Sequence, residues 1–396
     1  MSGPLTGLRV VEMGQLLAGP FCGQLLADLG ADVVKLEDPR RGDPMREWGR
    51  QRPKGQSLWW AVVARNKRSV TVNLREPAGQ DLARALIATA DVVVENFRPG
   101  TMERWGMDYP TLARVNPGLV MVRVSGFGQD GPYAQRPGYG AIGEAMGGLR
   151  YVVGDPSTPP SRVGISIGDT LAATFATIGA LAALQERTRS GCGQVVDSAI
   201  YEAVLGIMES LVPEWQITGY QRERTGAILP NVAPSNVYPT RDGTWILIAA
   251  NQDTVFARLA VAMGRPELAD DPRYSSHGAR GEHQAELDDL VGEFTAQHCA
   301  EELEALLIEH AVPVGKIFRP VEMLADPQYQ ARRSITEVVH PTLGPVAMQN
   351  VFPRLSRTPG GIRWPGPELG QHTTQVLAEV GLDAKAVEDL RAEGIV

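Results

Sequence analysis

Cysteine and histidine are scarce in this chain, and their positions exclude several classes of site. Its 396 residues include three cysteines, Cys22, Cys192 and Cys299, and none forms a CxxC pair. An odd number of widely spaced cysteines argues against a disulfide framework and favours a reducing cytoplasm. All six histidines follow Ser276, and none lies three or four residues from another. We therefore predict no metal site.

Long basic runs and long apolar runs are also missing. The net charge is −8 and no lysine- or arginine-rich tract occurs, so nucleic acid is not expected as a partner. The first residues, MSGPLTGLRVVEMG, lack the charged start and apolar centre of a signal peptide. The longest apolar run, Leu171 to Leu184, contains threonine and is shorter than a bilayer span requires. These absences predict a cytoplasmic protein without a membrane partner.

What the chain does contain is an alternation of short apolar strands and helical segments. Hydrophobic residues make up 43% and charged residues 21%, a globular composition, and the length suggests two or three domains. Buried strands are predicted at 8–13, 31–37, 69–74, 90–95, 119–124 and 194–198, with helical spacing between most of them. Such alternation is typical of an α/β fold with a mostly parallel sheet.

The second half of the chain has a different character. A long amphipathic helix is predicted over 199–215, followed by a polar linker at 216–230. The turn Arg241-Asp242-Gly243 between two apolar runs indicates a hairpin, and 272–283 has the composition of a loop. We predict a large α/β domain over 1–215 and a smaller α+β domain over 231–326. The return segment 327–396 is expected to pack on the large domain, since chain ends often lie close together.

One stretch combines glycine, serine and aspartate directly before a helix of small residues. Residues 162–170, RVGISIGDT, lead into the helical segment 171–185. Asp169 suits a helix N-cap, whose oxygen accepts a hydrogen bond from an early backbone N–H. The pattern Gly-Ile-Ser-Ile-Gly also matches a serine hydrolase elbow, with Ser166 as nucleophile and His340 or His372 as base. A catalytic carboxylate at Asp169 is the third interpretation.

Arginines follow several predicted strands. Arg40 and Arg41 come after the second strand, Arg75 after the third, and Arg98 and Arg104 after the fourth. Ligands bind outside the carboxyl ends of parallel strands, and the arginine fork fits phosphate geometry. A polyanionic ligand at this edge of the sheet is one interpretation, and individually solvated arginines are the other.

Five long motifs occur in order along the chain. They are LTG with VVEMGQLLAGP, GADVVKLE, NKRSVTVNL, ADVVVENFRPGTMERWG, and GDTLAATFATIGALAAL with a following Gly-Gln. Together they resemble the class III coenzyme A transferases over nearly the whole chain. The resemblance implies a Rossmann-like large domain, a smaller domain, and two chains interlocked in a homodimer. It also implies that CoA and acyl-CoA are substrates and that no cofactor is tightly bound.

The resemblance assigns roles to particular residues. Asp169 would attack the acyl-CoA carbonyl and carry covalent aspartyl intermediates, and Leu17 and Tyr139 would line the active site. The implied CoA contacts are Leu16, Ala18, Arg40, Val72, Asn73, Leu74, Arg75, Asn96, Phe97, Arg98 and Arg104. Arg40 stands in for an arginine that often follows the LE motif, where this chain has Asp38.

Departures from the family pattern concern the substrate. Formyl-CoA transferases have glutamine at the position of Leu17 and a run of glycines where this chain has GAILPNVAPSN. Succinyl-CoA or another dicarboxylic acyl donor is therefore expected rather than an oxalate-type substrate. The related α-methylacyl-CoA racemases need a histidine near Gly138–Gly140, and no histidine precedes residue 277. A serine hydrolase using Ser166 and a non-catalytic acyl-CoA-binding homologue are the remaining alternatives.

Overall fold

The computed structural model describes residues 3–396, which form two compact units. The first comprises residues 3–149, 163–211 and 328–396, and the second comprises residues 150–162 and 212–327.

A six-stranded parallel sheet forms the centre of the first unit. Its strands are β1 (Arg9–Glu12), β2 (Asp32–Glu37), β3 (Lys67–Thr71), β4 (Val92–Glu95), β5 (Val120–Ser125) and β6 (Val195–Ala199). The order is β3-β2-β1-β4-β5-β6, and every pair is parallel. The strand order reverses between β1 and β4, which is the switch point where ligands bind in open α/β sheets. The predicted mostly parallel α/β fold is confirmed.

The valine pairs of the strands explain why helices cover both faces of this sheet. Val10, Val33 and Val92 enter one hydrophobic core, whereas Val11, Val34 and Val93 enter another. Successive side chains of a strand point to opposite faces, so each valine pair contributes one side chain to each core. The helices along this part of the chain are α1 (Ala18–Asp28), α2 (Leu58–Val63), α3 (Pro77–Ala88), α4 (Thr101–Arg104), α5 (Tyr109–Val115), α6 (Gly140–Met146), α7 (Leu149–Val152), α8 (Ile167–Ser190) and α9 (Ile200–Leu205).

Helix α8 is longer than the predicted 171–185 segment. Its buried alanines, among them Ala172, Ala176 and Ala180, pack against α1 and β5, and Gly191 ends it with a φ of 73°. At 24 residues it is long and apolar enough to cross a membrane by length and composition alone. The prediction that this segment is too short for a bilayer span counted only the run 171–184, and the helix is longer than that run. Small residues on the buried face let the helix approach the sheet closely.

The second unit is a smaller mixed α and β structure. Its antiparallel strands β7 (Ser235–Pro239), β8 (Trp245–Ala249) and β9 (Val314–Lys316) form one sheet. The predicted turn is present between β7 and β8, where Gly243 has a φ of 76°. Its helices are α10 (Leu211–Thr218), α11 (Asp253–Ala262), α12 (His277–Glu282), α13 (Gln284–Thr295), α14 (Ala300–Glu309) and α15 (Pro320–Ala325), with α16 (Pro327–Ala331) at its boundary. Helix α12 lies within the predicted loop 272–283, which was therefore wrong there.

Residues 328–396 return to the first unit. They form the hairpin β10 (Ile335–His340) and β11 (Gly344–Gln349) and the helices α17 (Thr373–Ala378) and α18 (Ala384–Ala392). The backbone N–H of His372 donates to the Ser69 carbonyl at 2.9 Å, and that of Thr71 donates to Thr373 Oγ1 at 2.9 Å. Because β3 is the edge strand of the sheet, these bonds cover an edge that would otherwise be open to pairing with another chain.

The long helix predicted over 199–215 was wrong. The structure has α9 up to Leu205 and α10 from Leu211, and Glu209 lies between them with a φ of 50°. Helix α2, at Leu58–Val63, was not predicted; Ser57 caps it by accepting a hydrogen bond from the Trp60 N–H at 3.2 Å. Short 3₁₀ helices at Pro44–Glu47, Pro53–Gly55 and Pro266–Ala269 complete the regular structure of the described residues.

Candidate active site

A cavity of about 230 Å³ lies where β1, β4 and β5 end, beside the switch point of the sheet. Its wall contains Asp169, two arginines and several aromatic and glycine residues. The residues that line it are Gln15, Leu16, Leu17, Ala18, Trp48, Asn96, Phe97, Arg98, Pro99, Val124, Ser125, Gly126, Ala134, Arg136, Pro137, Gly138, Tyr139, Asp169 and Ile200. The structure thus brings Asp169 together with seven of the predicted site residues: Leu16, Leu17, Ala18, Asn96, Phe97, Arg98 and Tyr139.

Asp169 is the third residue of α8, and Ser166 occupies the N-cap position. The interpretation of Asp169 as the cap residue was therefore wrong by three positions. Its carboxylate lies directly against Gly140, the first residue of α6. A Cβ placed on Gly140 would lie 2.8 Å from Asp169 Cγ and 3.1 Å from Oδ1, so this carboxylate position requires glycine at 140.

The turn between β1 and α1 forms one wall of the cavity and is fixed from below by buried charges. Lys35 Nζ lies 2.8 Å from Glu12 Oε1, 2.8 Å from Asp43 Oδ2 and 2.8 Å from the Gly14 carbonyl oxygen. Burial opposes the charge of Lys35, but the carboxylates of Asp43 and Glu12 outweigh it and raise its pKa. Asp43 Oδ1 also accepts from the Leu16 N–H at 3.0 Å. These contacts hold Leu16 at a φ of 64°, a conformation that leucine rarely adopts.

The loop after β4 is tied to that turn. The Asn96 side chain accepts from the Gln15 N–H at 2.7 Å and donates to the Gln15 carbonyl at 2.9 Å. Both polar groups of Asn96 thus join the ends of β1 and β4. Asn96, which is predicted to contact CoA, therefore also fixes the spacing of two walls of the cavity.

An ion-pair network also fixes α4, the helix that follows β4. Arg123 donates to Glu95 Oε1 at 2.7 Å and to Glu103 Oε1 at 2.7 Å. Burial raises the pKa of Glu95, although Arg123 opposes this, and the hydrogen bond from Arg123 lowers the pKa of Glu103. The arginine therefore connects the end of β4 to α4 and positions the loop between them.

A second, smaller cavity of about 100 Å³ shares Gln15 and Phe97 with the first. Four further predicted CoA contacts lie in its wall, namely Val72, Asn73, Leu74 and Arg75. The turn after β3 that carries them is held from the end of the sequence. The Asn73 N–H donates to the Ile395 carbonyl at 2.7 Å, and Asn73 Nδ2 donates to the Gly394 carbonyl at 3.3 Å.

Two predicted site residues line neither cavity. Arg40 is exposed in the loop after β2, where its backbone N–H donates to Asp38 Oδ1 at 2.8 Å. Arg104 is exposed on α4, and its Nη2 donates to Thr101 Oγ1 at 2.9 Å. Both side chains lie on elements that border the cavities, without facing into either one.

The sequence alone did not single out four residues of this region. Trp48 lies in the cavity wall and makes an edge contact with Trp59, with ring centroids 5.9 Å apart. Arg136 lies in the wall with its guanidinium carbon 3.5 Å from the centre of the Tyr133 ring. Gly140 supports Asp169, and Glu144 is fully buried on the same helix. The sequence signals that could have indicated two of them are a tryptophan, Trp48, in a polar stretch and an arginine, Arg136, directly before Pro-Gly-Tyr.

The alternatives that rest on histidine lack support in this geometry. No histidine lines either cavity within residues 3–396. His372 Nδ1 accepts from the Ser69 N–H at 3.2 Å, and His340 Nδ1 accepts from the Thr342 N–H at 3.1 Å, so both serve local structure. Over the same residues, no group of three or more histidine, cysteine or acidic side chains is arranged to hold a metal ion.

Comparison with known proteins decides the family. The sequence model of CoA-transferase family III matches residues 5–373. The chain belongs to CoA-transferase family III. The predicted family is therefore confirmed, and so are the enzyme class and its reaction, which moves CoA from an acyl-CoA thioester to a carboxylic acid.

Individual proteins of known name are similar to this CoA-transferase over nearly its whole length. It is 59% identical over 394 residues to the succinyl-CoA–D-citramalate CoA-transferase of Chloroflexus aurantiacus, covering 99% of this chain and 98% of the relative. It is 30% identical to the human succinyl-CoA:glutarate CoA-transferase, with coverage of 99% and 90%. The crystal structure of a CaiB/BaiF family protein from Brucella suis matches with a TM-score of 0.84 and 35% identity, covering 96% of this chain and 100% of that chain.

Proposed function

We propose that this CoA-transferase moves CoA from succinyl-CoA to a second dicarboxylic acid, with Asp169 as the covalent nucleophile. The observation that carries the proposal is the Asp169 carboxylate in the cavity wall at the switch point of the sheet. The relative at 59% identity acts on succinyl-CoA and D-citramalate, so D-citramalate is the acceptor to test first. Leu17 in the wall, where oxalate-type enzymes have glutamine, supports a longer and less polar substrate.

The proposed reaction consists of four exchanges at carbonyl carbon. A carboxylate oxygen of Asp169 attacks the thioester carbonyl, the C–S bond breaks, and CoA thiolate leaves a succinyl–aspartyl anhydride. The thiolate attacks the aspartyl carbonyl, which releases succinate and forms an aspartyl–CoA thioester. The acceptor carboxylate then displaces the thiolate and forms a second anhydride. Finally the thiolate attacks the acceptor carbonyl, which gives the new acyl-CoA and restores the Asp169 carboxylate.

The position of Asp169 suits this chemistry. The nucleophile must be ionised, and a carboxylate in the first turn of a helix is stabilised by the helix dipole. Each exchange replaces one difficult transfer by an easier one. Part of the wall is apolar or backbone, as at Leu17, Gly138 and Ile200, and this part would shield the anhydrides from water.

The two cavities together offer a path for CoA. They share Gln15 and Phe97, so a ligand that passes this pair reaches both Arg75 and Asp169. We propose that the nucleotide end of CoA binds by the turn of residues 72–75 and that the thioester lies at Asp169. Arg40, Arg75, Arg98 and Arg104 would supply positive charge to the phosphates, and Arg136 would add charge near the acyl group.

We further propose an interlocked homodimer in the cytoplasm, without a nucleic-acid or membrane partner. Apolar side chains are exposed on the surface of the first unit around α6, α8 and α9, at Ile142, Phe175, Ile178 and Leu205. Contiguous exposed apolar surface marks an interaction site, and a second copy of the chain is the partner that the family resemblance implies. The domain boundaries given under Sequence analysis also remain predictions.

The experiment that tests the proposal replaces Asp169 by asparagine. Transfer from succinyl-CoA to D-citramalate, followed by mass spectrometry, is expected to be lost in Asp169→Asn, whereas CoA binding measured by calorimetry persists. The matched control is Ser166→Ala in the same segment, which is expected to keep activity. Hydroxylamine added during turnover should convert Asp169 of the wild type to a hydroxamate, detected as a mass shift on its peptide. Normal transfer by Asp169→Asn would refute the proposal.

A further inference from the structure

Helix α6 carries a fully buried glutamate, Glu144, that the proposed reaction does not use. Its side chain packs against the first turn of α8. A Cβ placed on Gly168 would lie 3.2 Å from Glu144 Cγ and 2.9 Å from the Gly140 carbonyl oxygen. Since Gly168 directly precedes Asp169, Glu144 lies behind the turn that carries the nucleophile.

The spacing on α6 directs Glu144 towards the same place as Gly140. The two residues are four positions apart, so they share one face of the helix. Side chains of a helix lean towards its N-terminus, which here begins at Gly140. The Asp169 carboxylate lies against Gly140, and therefore one face of α6 meets both the nucleophile and its supporting turn.

Burying a carboxyl group has a large desolvation cost, so acidic side chains are buried only where polar partners offset that cost. Its surroundings include the apolar Ile200, which also lies against Gly168 and Gly143, so leucine or methionine would fill the space at lower cost. The early N–H groups of α8 require acceptors. The Glu144 side chain lies beside Gly168, the second residue of this turn, with its Cγ as the neighbouring atom.

We propose that Glu144 is a positioning residue for Asp169. In this role its Oε2 accepts a hydrogen bond at the first turn of α8, and the side chain packed behind Gly168 holds the Asp169 carboxylate over Gly140, facing the cavity. Glu144 does not line the cavity and does not touch substrate. This inference rests on the proposed role of Asp169 as nucleophile.

The test compares Glu144→Leu with Glu144→Gln in the full-length enzyme. Leucine keeps the volume and removes the acceptor, so kcat for succinyl-CoA and D-citramalate is expected to fall about 100-fold, as for a misplacement near 1 Å. The KM for succinyl-CoA should stay unchanged, because the residue lies outside the substrate cavity. Glutamine retains an acceptor oxygen and is expected to restore most of kcat.

Three measurements keep the outcomes separate. Melting temperatures accompany the kinetics, and Leu259→Ala, in the core of the second unit, serves as a variant that is destabilised without contact to the site. A fall in kcat no larger than that of Leu259→Ala, or an equal loss in both Glu144 variants, would overturn the inference. Hydroxylamine trapping on the wild type is run in parallel. If no hydroxamate forms on Asp169, the proposed function fails; if it forms equally fast in Glu144→Leu, only the positioning role fails.

Discussion

Replacing Gly140 by alanine tests the geometry of the nucleophile with a single methyl group. The added Cβ would lie 2.8 Å from Asp169 Cγ, whereas ordinary contact begins at 3.4 Å. The Asp169 carboxylate must therefore move by more than half an ångström, and by more at Oδ2, which is nearer still. The backbone of Gly140 lies outside the left-handed region, so alanine introduces no strain of its own there.

The expected result is a large loss of rate with little loss of stability. A misplacement of about 1 Å at a reacting group costs on the order of 100-fold, so kcat should fall between tenfold and 100-fold. Alanine is preferred over glycine in helices by about 1 kcal/mol, and overpacking costs about 1–3 kcal/mol. These opposing contributions leave the free energy of unfolding within about 2 kcal/mol of the wild type.

Steady-state transfer from succinyl-CoA to D-citramalate gives kcat and KM, and urea denaturation gives stability. Gly278→Ala is the matched control, because Gly278 is the second residue of α12 and its added Cβ would have no neighbour within 4 Å. That variant should keep the wild-type kcat. If Gly140→Ala also keeps it, the placement of Asp169 over Gly140 does not matter to the reaction.

Two further predictions concern buried and partly buried charges. Lys67 Nζ lies 2.7 Å from Glu12 Oε2 in the interior, so Lys67→Met should cost about 3–5 kcal/mol in urea denaturation; an unchanged midpoint would show that Lys35 alone compensates Glu12. Hydrogen bonds from Arg68 lower the pKa of Glu379, so its contribution is present above the ordinary glutamate pKa of about 4.3 and is lost as the pH falls through the lower folded value. Glu379→Gln should therefore melt at a lower temperature than the wild type at pH 7, with the difference disappearing in acid. A difference that is constant with pH would contradict this assignment.

The fold of the first unit was largely predictable because its strands carry continuous valine runs. Continuous apolar runs of this kind are typical of strands that are buried on both faces. The runs here are Val10-Val11, Val33-Val34 and Val92–Val94. The predicted helix over 199–215 failed because its apolar spacing runs on without a break. The structure assigns its two ends to different units, a division that is set by long-range contacts and leaves no local signal.

The site was predictable only in part, for a similar reason. Asp169 lies in a motif that carries the family resemblance, the resemblance also pointed to Tyr139, and both residues line the cavity. Gly140 and Glu144 make their contacts between α6 and α8, whose sequences lie more than 20 positions apart. Glycine at the start of a helix and glutamate within one are common, so only the packed structure distinguishes them.

The hydrogen bonds from Asn73 to residues 394 and 395 connect a wall of the smaller cavity to residues at least 321 positions away in the sequence. Contacts between such distant residues form late in folding, because the loop-closure entropy of the intervening chain opposes them. A ligand stabilises only a state that binds it. CoA is therefore expected to protect the assembled first unit against unfolding rather than to accelerate its folding.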